Sequence, residues 1–402
     1  VELIYQDGSV IPYLITMLSL YVLSLILWGV NKNSNQQLIH KESFVFTILA
    51  WILIIIFAAM PFWLGIENLN YCDALFESAS GLTTTGAEVF ANLDDLSHSL
   101  LFYHQYLQFL GGMGVIVLAV AILPSLSMGR QTISLDAPNA MIADKFTPKI
   151  INTAKILWGL YVLFAVVCCY CYWFFGMTWF DAVCEAFATI STGGFSIHNY
   201  SFAKYHSSGI IWTAIVFMLI GAIGFNLHFK AIVQNNWRSY FLNKEVKLMA
   251  VSILILTLII MLTLINYNFA IWNVTTIEHS VFTSMAFITT TGFEITDYTV
   301  WPQFLILLIV LFGLIGGCSG STSGGLKLKR VLIIYYEAVH SFKRLLHPQA
   351  VFASDANINY HSHYGFLSMF LIVYISLLFI FMLLGYSVDI AFASVTACLA
   401  NV

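Results

Sequence analysis

The stretch GLTTTGAE, residues 81–88, places three consecutive threonines and a glycine directly after a short apolar run. It belongs to a chain that is 60% hydrophobic, and apolar segments of membrane-spanning length flank it on both sides. A single copy would also fit an ordinary surface turn, because Thr and Gly are both common in turns. The stretch therefore decides the fold only if it recurs.

The stretch does recur, and the copies are evenly spaced. Gly86 and Gly194 are 108 residues apart, and Gly194 and Gly292 are 98 apart. Each copy follows one apolar stretch, and the first three copies also precede another. Self-similarity at this period indicates a structural repeat, here helix, short re-entrant segment, helix. The four copies are DALFESASGLTTTGA (73–87), DAVCEAFATISTGGF (181–195), HSVFTSMAFITTTGF (279–293) and DIAFASVTACLANV (389–402).

Composition places these repeats in a lipid bilayer. The chain has 402 residues, of which only 9% are charged, and its mean hydropathy is +0.86. Apolar runs of about 20 residues are long enough to cross a hydrocarbon core about 30 Å thick. The N-terminus shows no signal peptide, and its abrupt start at VELIYQDGS fits a fragment. The predicted apolar stretches lie near 10–30, 43–66, 100–125, 154–175, 207–233, 246–270, 303–319 and 364–386.

The sequence thus predicts an all-α integral membrane protein with a pseudo-fourfold repeat of helix, re-entrant pore loop and helix around a central pore, plus an extra N-terminal transmembrane helix. The predicted units are 1–42 (N-terminal helix and loop), 43–130 (repeat 1), 131–242 (cytoplasmic connection and repeat 2), 243–345 (repeat 3) and 346–402 (repeat 4, which stops within its filter).

Basic residues orient the predicted helices. If the chain crosses the membrane at each stretch, 15 of the 16 Lys and Arg residues fall on one face, and Lys204 falls on the other. The positive-inside rule makes the first face cytoplasmic. Acidic residues such as Glu88, Asp94 and Asp95 collect on the opposite face, where they would raise the local concentration of cations.

Each short segment before the threonines can only reach about halfway through the bilayer, because a helix rises about 1.5 Å per residue. The chain must then turn back in a non-helical conformation, which is tolerated there only in protein or along a water-filled path. Rings of backbone carbonyls can replace the hydration shell of a monovalent cation. We therefore predict a potassium-binding selectivity filter at Thr83, Thr84, Thr85, Gly86, Ser191, Thr192, Gly193, Gly194, Thr289, Thr290, Thr291, Gly292, Ala400, Asn401 and Val402.

A second irregular stretch is GLIGGCSGSTSGG, residues 313–325, where the second helix of repeat 3 is expected. Six glycines in 13 residues cannot sustain a helix, since each costs about 1 kcal/mol relative to alanine. The stretch is either buried beneath the filter or a flexible cytoplasmic hinge. Lys327, Lys329 and Arg330 follow it, and we interpret them chiefly as positive-inside anchors.

The repeats and three further motifs resemble the Trk/Ktr/HKT superfamily of potassium transporters, specifically the TrkH-like pore subunits of bacterial Trk systems. The motifs are QFLGGMGVIVLAVAILP (108–124), STGGFS (191–196) and GGCSGSTSGGLK (316–327). The resemblance covers nearly the whole chain. The extra N-terminal stretch at 10–30 fits the TrkH-like proteins better than the shorter Ktr type.

The resemblance implies potassium uptake across the bacterial inner membrane. One glycine per repeat favours potassium in that family, and a serine at the first of these positions marks sodium-selective relatives; Gly86, Gly194 and Gly292 are all glycine here. It also implies a homodimer, a cytosolic nucleotide-binding ring as partner, and potassium as substrate without any cofactor. Stretch 313–325 would be the intramembrane gate, with the loop residues Gly316, Gly317, Ser319, Gly320, Ser321, Thr322, Ser323, Gly324 and Gly325.

Two alternatives remain open at this point. A sodium-permeable relative of the same superfamily would share every motif. An intramembrane serine protease could use the GxSG pattern at 317–320, but it would need a histidine facing Ser319. His104, His228 and His279 lie at the ends of their segments, and the zinc-protease motif HExxH is missing from the sequence. We therefore expect no enzyme activity and no nucleic-acid binding.

Two acidic residues occupy matching positions in the short segments. Glu77 and Glu185 align, but the third repeat has Thr283 there. An ion-binding ring would need the acid in every copy, so we interpret both as hydrogen-bonded structural acids.

Overall fold

The structure is a computed structural model, and it describes residues 1–8, 10–32, 40–90, 92–121, 150–269, 271–347 and 360–402. The described residues are mainly helical. In chain order the helices are α1 (Glu2–Tyr5), α2 (Val10–Asn31), α3 (His40–Ala58), α4 (Met60–Gly65), α5 (Tyr71–Leu82), α6 (His98–Ala121), α7 (Ile150–Phe174), α8 (Trp179–Ser191), α9 (Ser208–Ala222), α10 (Phe225–His228, continued as a π-helix over Phe229–Val233), α11 (Arg238–Leu242), α12 (Lys244–Asn266), α13 (Val274–Ile288), α14 (Gln303–Gly313), α15 (Leu328–Leu346), α16 (Tyr360–Leu383) and α17 (Val388–Ala400).

Membrane-length helices confirm the membrane-protein prediction. Within the described residues, five helical spans are long and apolar enough to cross a bilayer, and a bent pair would make a sixth. The bent pair is α9 with α10, which meet at 97°. The five spans are Val10–Val30, Val45–Gly65, Thr153–Phe174, Lys244–Asn266 and His363–Leu383.

The bend between α9 and α10 departs from the single stretch expected over 207–233. Ile223 and Gly224 are extended, so the helix stops at Ala222. A side chain on Gly224 would collide with the carbonyl oxygen of Ser319. The helix therefore breaks where the loop after α14 packs against it.

The four pore helices α5, α8, α13 and α17 share one packing plan. Helix α8 packs against α7 and α9 of its own repeat and against α6 of the preceding repeat. Helix α13 does the same with α12, α14 and α9. Helix α17 packs on α16 and α14, and α5 packs on α3 and α6. The pore helices of repeats 2, 3 and 4 thus each pack against a helix of the preceding repeat, as expected for a pseudo-fourfold arrangement.

Side-chain caps begin several of these helices where the sequence supplies Asn or Thr. Asn243 accepts hydrogen bonds from the backbone amides of Glu245 and Val246 at the start of α12. Thr178 caps α8 and Asn273 caps α13 in the same way. Such a cap satisfies amides that have no partner within the helix. Two of the four pore helices, α8 and α13, thus start at a side-chain cap.

Candidate ion-conduction site

The four threonine-containing segments leave their pore helices with one backbone geometry. In each, the second residue of the segment has a left-handed conformation, and the amide of the next residue bonds back to the last helical turn. The left-handed residues are Thr84 (φ 58°), Thr192 (φ 51°), Thr290 (φ 56°) and Asn401 (φ 55°). The returning bonds are Thr85 N to Ser80 O (2.8 Å), Gly193 N to Ala188 O (2.9 Å), Thr291 N to Ala286 O (2.8 Å) and Val402 N to Ala397 O (3.1 Å).

This geometry gives the register of the fourth segment. Asn401 occupies the place of Thr84, so Val402 matches Thr85 and Ala400 matches Thr83. The fourth segment has its first three positions in Ala400, Asn401 and Val402. The three other segments each supply their glycine.

The segments interlock through these glycines. Gly86, Gly194 and Gly292 all have positive φ, near +80°. A side chain at any of the three would press on the next segment. An added Cβ on Gly86 collides with the carbonyl oxygen of Gly193, and one on Gly194 collides with that of Thr291. A Cβ on Gly292 would lie 3.2 Å from the carbonyl carbon of Val402, which is a tight contact.

Hydrogen bonds between the fourth and first segments close the circle. Asn401 Nδ2 donates to the carbonyl oxygen of Thr83 at 3.0 Å, and Thr85 Oγ1 donates to Asn401 Oδ1 at 3.0 Å. The contacts therefore run from segment 1 to 2, 2 to 3, 3 to 4 and back to 1. The structure brings the predicted filter residues together as a closed ring.

Threonine hydroxyls brace the ring from within. Thr83 Oγ1 donates to Ala79 O and pairs with Thr85 Oγ1, at 2.7 Å in both cases. In the third segment Thr289 Oγ1 donates to Met285 O and pairs with Thr291 Oγ1 at 2.8 Å. A hydroxyl that bonds four residues back satisfies a carbonyl at the helix end. The threonines thus hold the segment backbone in addition to supplying carbonyls.

The paired acids Glu77 and Glu185 are hydrogen-bonded inside the protein, as predicted. Both are fully buried. Glu77 accepts from the amide of Val89 at 2.9 Å and lies 2.6 Å from His104 Nε2. Glu185 accepts from Ser196 Oγ at 2.7 Å and from the amide of Ile197 at 3.3 Å. Each carboxylate therefore anchors the chain just after its own filter segment.

The loops that follow the first two filter segments are joined by a histidine. His198 Nδ1 lies 2.9 Å from Asp94 Oδ1, and its Nε2 lies 3.7 Å from Asp181 Oδ2. The hydrogen bond from His198 lowers the pKa of Asp94 below its usual value. The contact between His198 and Asp94 joins two repeats. The sequence analysis did not foresee it, because both of these residues lie outside the repeated motifs.

The break predicted at 313–325 is confirmed, since α14 ends at Gly313 and α15 begins at Leu328. The intervening loop lies against the ends of three pore helices. Thr322 Oγ1 donates to Ile190 O at 3.1 Å, the amide of Gly324 donates to Thr290 Oγ1 at 2.6 Å, and the amide of Gly325 donates to Ala400 O at 2.7 Å. The loop therefore packs directly beneath the filter ring.

Two charged side chains tether this loop, and neither was predicted to do so. Glu245 Oε2, in the first turn of α12, accepts from the amide of Ser319 at 2.7 Å. Lys327 Nζ donates to the carbonyl oxygens of Ser321 and Ser323. Lys327 was expected chiefly as a positive-inside anchor, and its ammonium also reaches back to the loop. No sequence signal marks Glu245, which precedes Ser319 by 74 residues.

The geometry does not favour the protease alternative. His228 is the histidine closest in sequence to the α9–α10 bend that contacts Ser319, and both of its ring nitrogens are engaged. Its Nδ1 lies 2.8 Å from Tyr240 Oη, and its Nε2 lies 2.9 Å from Ile220 O. Among the described residues, Ser319 Oγ has no hydrogen-bond partner that could activate it.

The comparisons with known proteins agree with this architecture. The family model named TrkH, described as a cation transport protein, matches residues 13–402. The Trk system potassium uptake protein TrkH of Salmonella typhimurium is 37% identical over 411 aligned positions, which cover all of this chain and 85% of the relative. The TrkH of Escherichia coli K12 is also 37% identical, with the same coverage.

A solved structure matches as well. The crystal structure of the potassium transporter TrkH from Vibrio parahaemolyticus superposes with a TM-score of 0.89 at 34% sequence identity. The match covers all of this chain and 84% of that one. An all-helical transporter fold is therefore common to both.

Proposed function

This chain belongs to the TrkH family of cation transport proteins, and from that premise we propose that it takes up potassium through its four filter segments. The observation that carries the proposal is the closed ring in which each glycine seats against the next segment. Only backbone of that kind can bring several carbonyls to one axis without side chains between them. The choice of potassium as the substrate rests on the relatives, which are named as potassium uptake proteins.

The direction of charge at the pore helices supports a cation. Each of the four pore helices ends at a filter segment, so its carbonyl end points toward the ring. The carbonyl end of a helix carries a partial negative charge. Four such ends around one axis would lower the cost of holding a bare cation.

We further propose that the loop over 313–325 is the gate of this pathway. Its contacts with the ends of pore helices 2, 3 and 4 support a position under the ring, where it would block the path of an ion. Movement away from the ring would have to break the Glu245 and Lys327 tethers. A cytosolic nucleotide-binding ring would supply the force, and the functional unit would be a homodimer.

The orientation follows from the basic residues. Loop 88–97 and Lys204 would face the periplasm, and segment 130–150, of which residues 130–149 lie outside the described part of the chain, would face the cytoplasm. Single engineered cysteines labelled from outside intact cells test this directly. Labelling at position 140 but not at position 95 would reverse the orientation.

Selectivity tests the function itself. In the full-length protein, Gly86→Ser should weaken discrimination against sodium, because a side chain at this position displaces the carbonyl of Gly193. Permeability ratios for potassium and sodium, measured in cells that lack other potassium uptake systems, give the readout. A parent protein that passes both ions equally would favour a sodium-permeable relative. An unchanged ratio in Gly86→Ser would refute the filter assignment.

A further inference from the structure

The second filter segment differs from the first and third at two positions, and only one of the changes removes a hydroxyl, since Ser191 keeps one. Where those segments have Thr85 and Thr291, the second has Gly193. The hydroxyl pairs that brace segments 1 and 3, Thr83 with Thr85 and Thr289 with Thr291, therefore have no equivalent in segment 2. Ser191 supplies one hydroxyl there, which bonds to Ala188 O at 3.1 Å, and its partner is missing.

Gln108, from helix α6 of the preceding repeat, fills that gap. Its Nε2 donates to the carbonyl oxygen of Gly193 at 2.6 Å, and its Oε1 accepts from the amide of Phe195 at 3.2 Å. The side chain is fully buried. The two bonds fall on either side of Gly194, so one amide group holds the backbone across the turn of the segment.

The space occupied by Gln108 explains the glycine at position 193. A Cβ built on Gly193 would meet the amide of Gln108, with Nε2 only 2.7 Å away. The backbone itself does not demand glycine, because Gly193 is not among the residues with positive φ. The residue types at 108 and 193 are therefore coupled: with Gln108 in its present position, a side chain at 193 has no room.

The carbonyl oxygen of Gly193 also lies within collision distance of the place that a Cβ on Gly86 would take. Gln108 thus holds the second segment in place. It also holds the carbonyl oxygen of Gly193, against which Gly86 of the first segment packs. A shift of this oxygen would change the width of the ring between segments 1 and 2. The selectivity of a carbonyl ring depends on how its oxygens are placed.

We propose that Gln108 is a selectivity-determining positioning residue, which holds the second filter segment in the way that the threonine pairs hold the first and third. This inference rests on the proposed function as a potassium-selective pathway. Gln108 does its work through the carbonyl of Gly193 and does not itself contact the ion.

The first test replaces Gln108 with leucine, which keeps the volume and removes both hydrogen bonds. We expect the potassium-to-sodium permeability ratio of the full-length protein to fall about tenfold, since the Gly193 carbonyl and the Phe195 amide lose their buried partner. The matched control is Gln105→Leu, one turn earlier on α6. Gln105 is equally buried, but its amide makes no hydrogen bond within the described part of the chain. Its variant should keep the parent ratio.

A reciprocal exchange separates positioning from general destabilisation. Gly193→Thr alone should lose selectivity, because the new side chain strikes Gln108. Gln108→Ala combined with Gly193→Thr rebuilds the hydroxyl pair of segments 1 and 3, and should restore most of the ratio. Such a non-additive gain is the signature of two positions that share one contact.

The outcomes distinguish the two proposals. An unselective parent protein would refute the proposed function before Gln108 is tested. A selective parent whose Gln108→Leu variant, present at normal levels in the membrane, keeps its ratio would overturn the inference. If Gln108→Leu fails to accumulate, the double variant decides: a ratio no better than that of Gly193→Thr alone would also overturn it.

Discussion

The filter ring and the loop beneath it are both buried stretches of irregular backbone, yet they are held by different parts of the chain. Each filter segment bonds to its own pore helix through the returning amide, and segments 1 and 3 do so also through threonine hydroxyls. The loop over 313–325 bonds mainly to distant elements, including Glu245, Thr290 and Ala400. Local bonds form with the helix and persist with it, whereas bonds to distant elements can break one by one.

This difference fits the different tasks that we propose for the two stretches. A filter must keep its carbonyls in place while ions pass, and its four copies share the amide bond that returns to the last turn of the pore helix. A gate must have two positions that differ little in free energy, so its contacts should be individually weak and separable. We therefore expect substitutions in the ring to destroy selectivity or transport, and substitutions in the loop to change how often the path is open.

The largest effect should come from the tightest contact in the ring. Gly194→Ala places a methyl group on the carbonyl of Thr291 and should abolish potassium uptake. Gly292→Ala should be milder, because the nearest atom to its added methyl group is 3.2 Å away and only the strain of the positive φ remains. Gly159→Ala on α7 is the control, since nothing lies within 4 Å of that position. Equal uptake by Gly194→Ala and Gly159→Ala, measured in cells without other potassium uptake, would contradict the interlocked ring.

The next effect concerns the loop as a whole. Deletion of Ser321 to Gly324 removes the bonds to Ile190 and Thr290, and should leave the path open. Potassium flux should then rise in cells that lack the cytosolic partner. The amount of folded protein in the membrane is measured in parallel. A folded deletion variant with lower flux than the parent would argue against a plug and in favour of a structural loop.

The sequence predicted the ring far better than the tethers, and the reason is repetition. Four similar segments at matching places reveal the ring even though single residues differ, as Asn401 does from Thr84. Glu245 and Gln108 occur once each and meet their partners only after the chain has folded. Gln108 left one trace, the change from threonine to glycine at position 193, which can be interpreted only once the packing is known.

A smaller effect should follow from loosening one tether of the loop. Glu245→Ala removes the acceptor for the amide of Ser319, and flux without the cytosolic partner should rise about fivefold if the bond to a charged acceptor contributes ~1 kcal/mol to the closed position. Glu245→Gln keeps an acceptor and should rise less. The control is Glu67→Gln, at an exposed position in a different loop. Flux in Glu245→Ala that equals the parent would mean that the tether does not restrain the loop.

The smallest effect should come from Ser319→Ala, and its contrast with Thr322→Val sharpens the view that specific bonds hold the loop. Ser319 Oγ is buried and makes no hydrogen bond among the described residues, so its removal costs no bond and relieves an unsatisfied polar group. Thr322 has nearly the same chemistry, but its hydroxyl donates to Ile190 and Gly221 and also meets Thr192. Ser319→Ala should therefore leave potassium uptake within about twofold of the parent, because no hydrogen bond is lost and no buried partner is left unsatisfied. Thr322→Val should raise flux without the partner. Uptake assays on both variants would decide, and loss of a proteolytic activity in Ser319→Ala would instead support a nucleophilic serine.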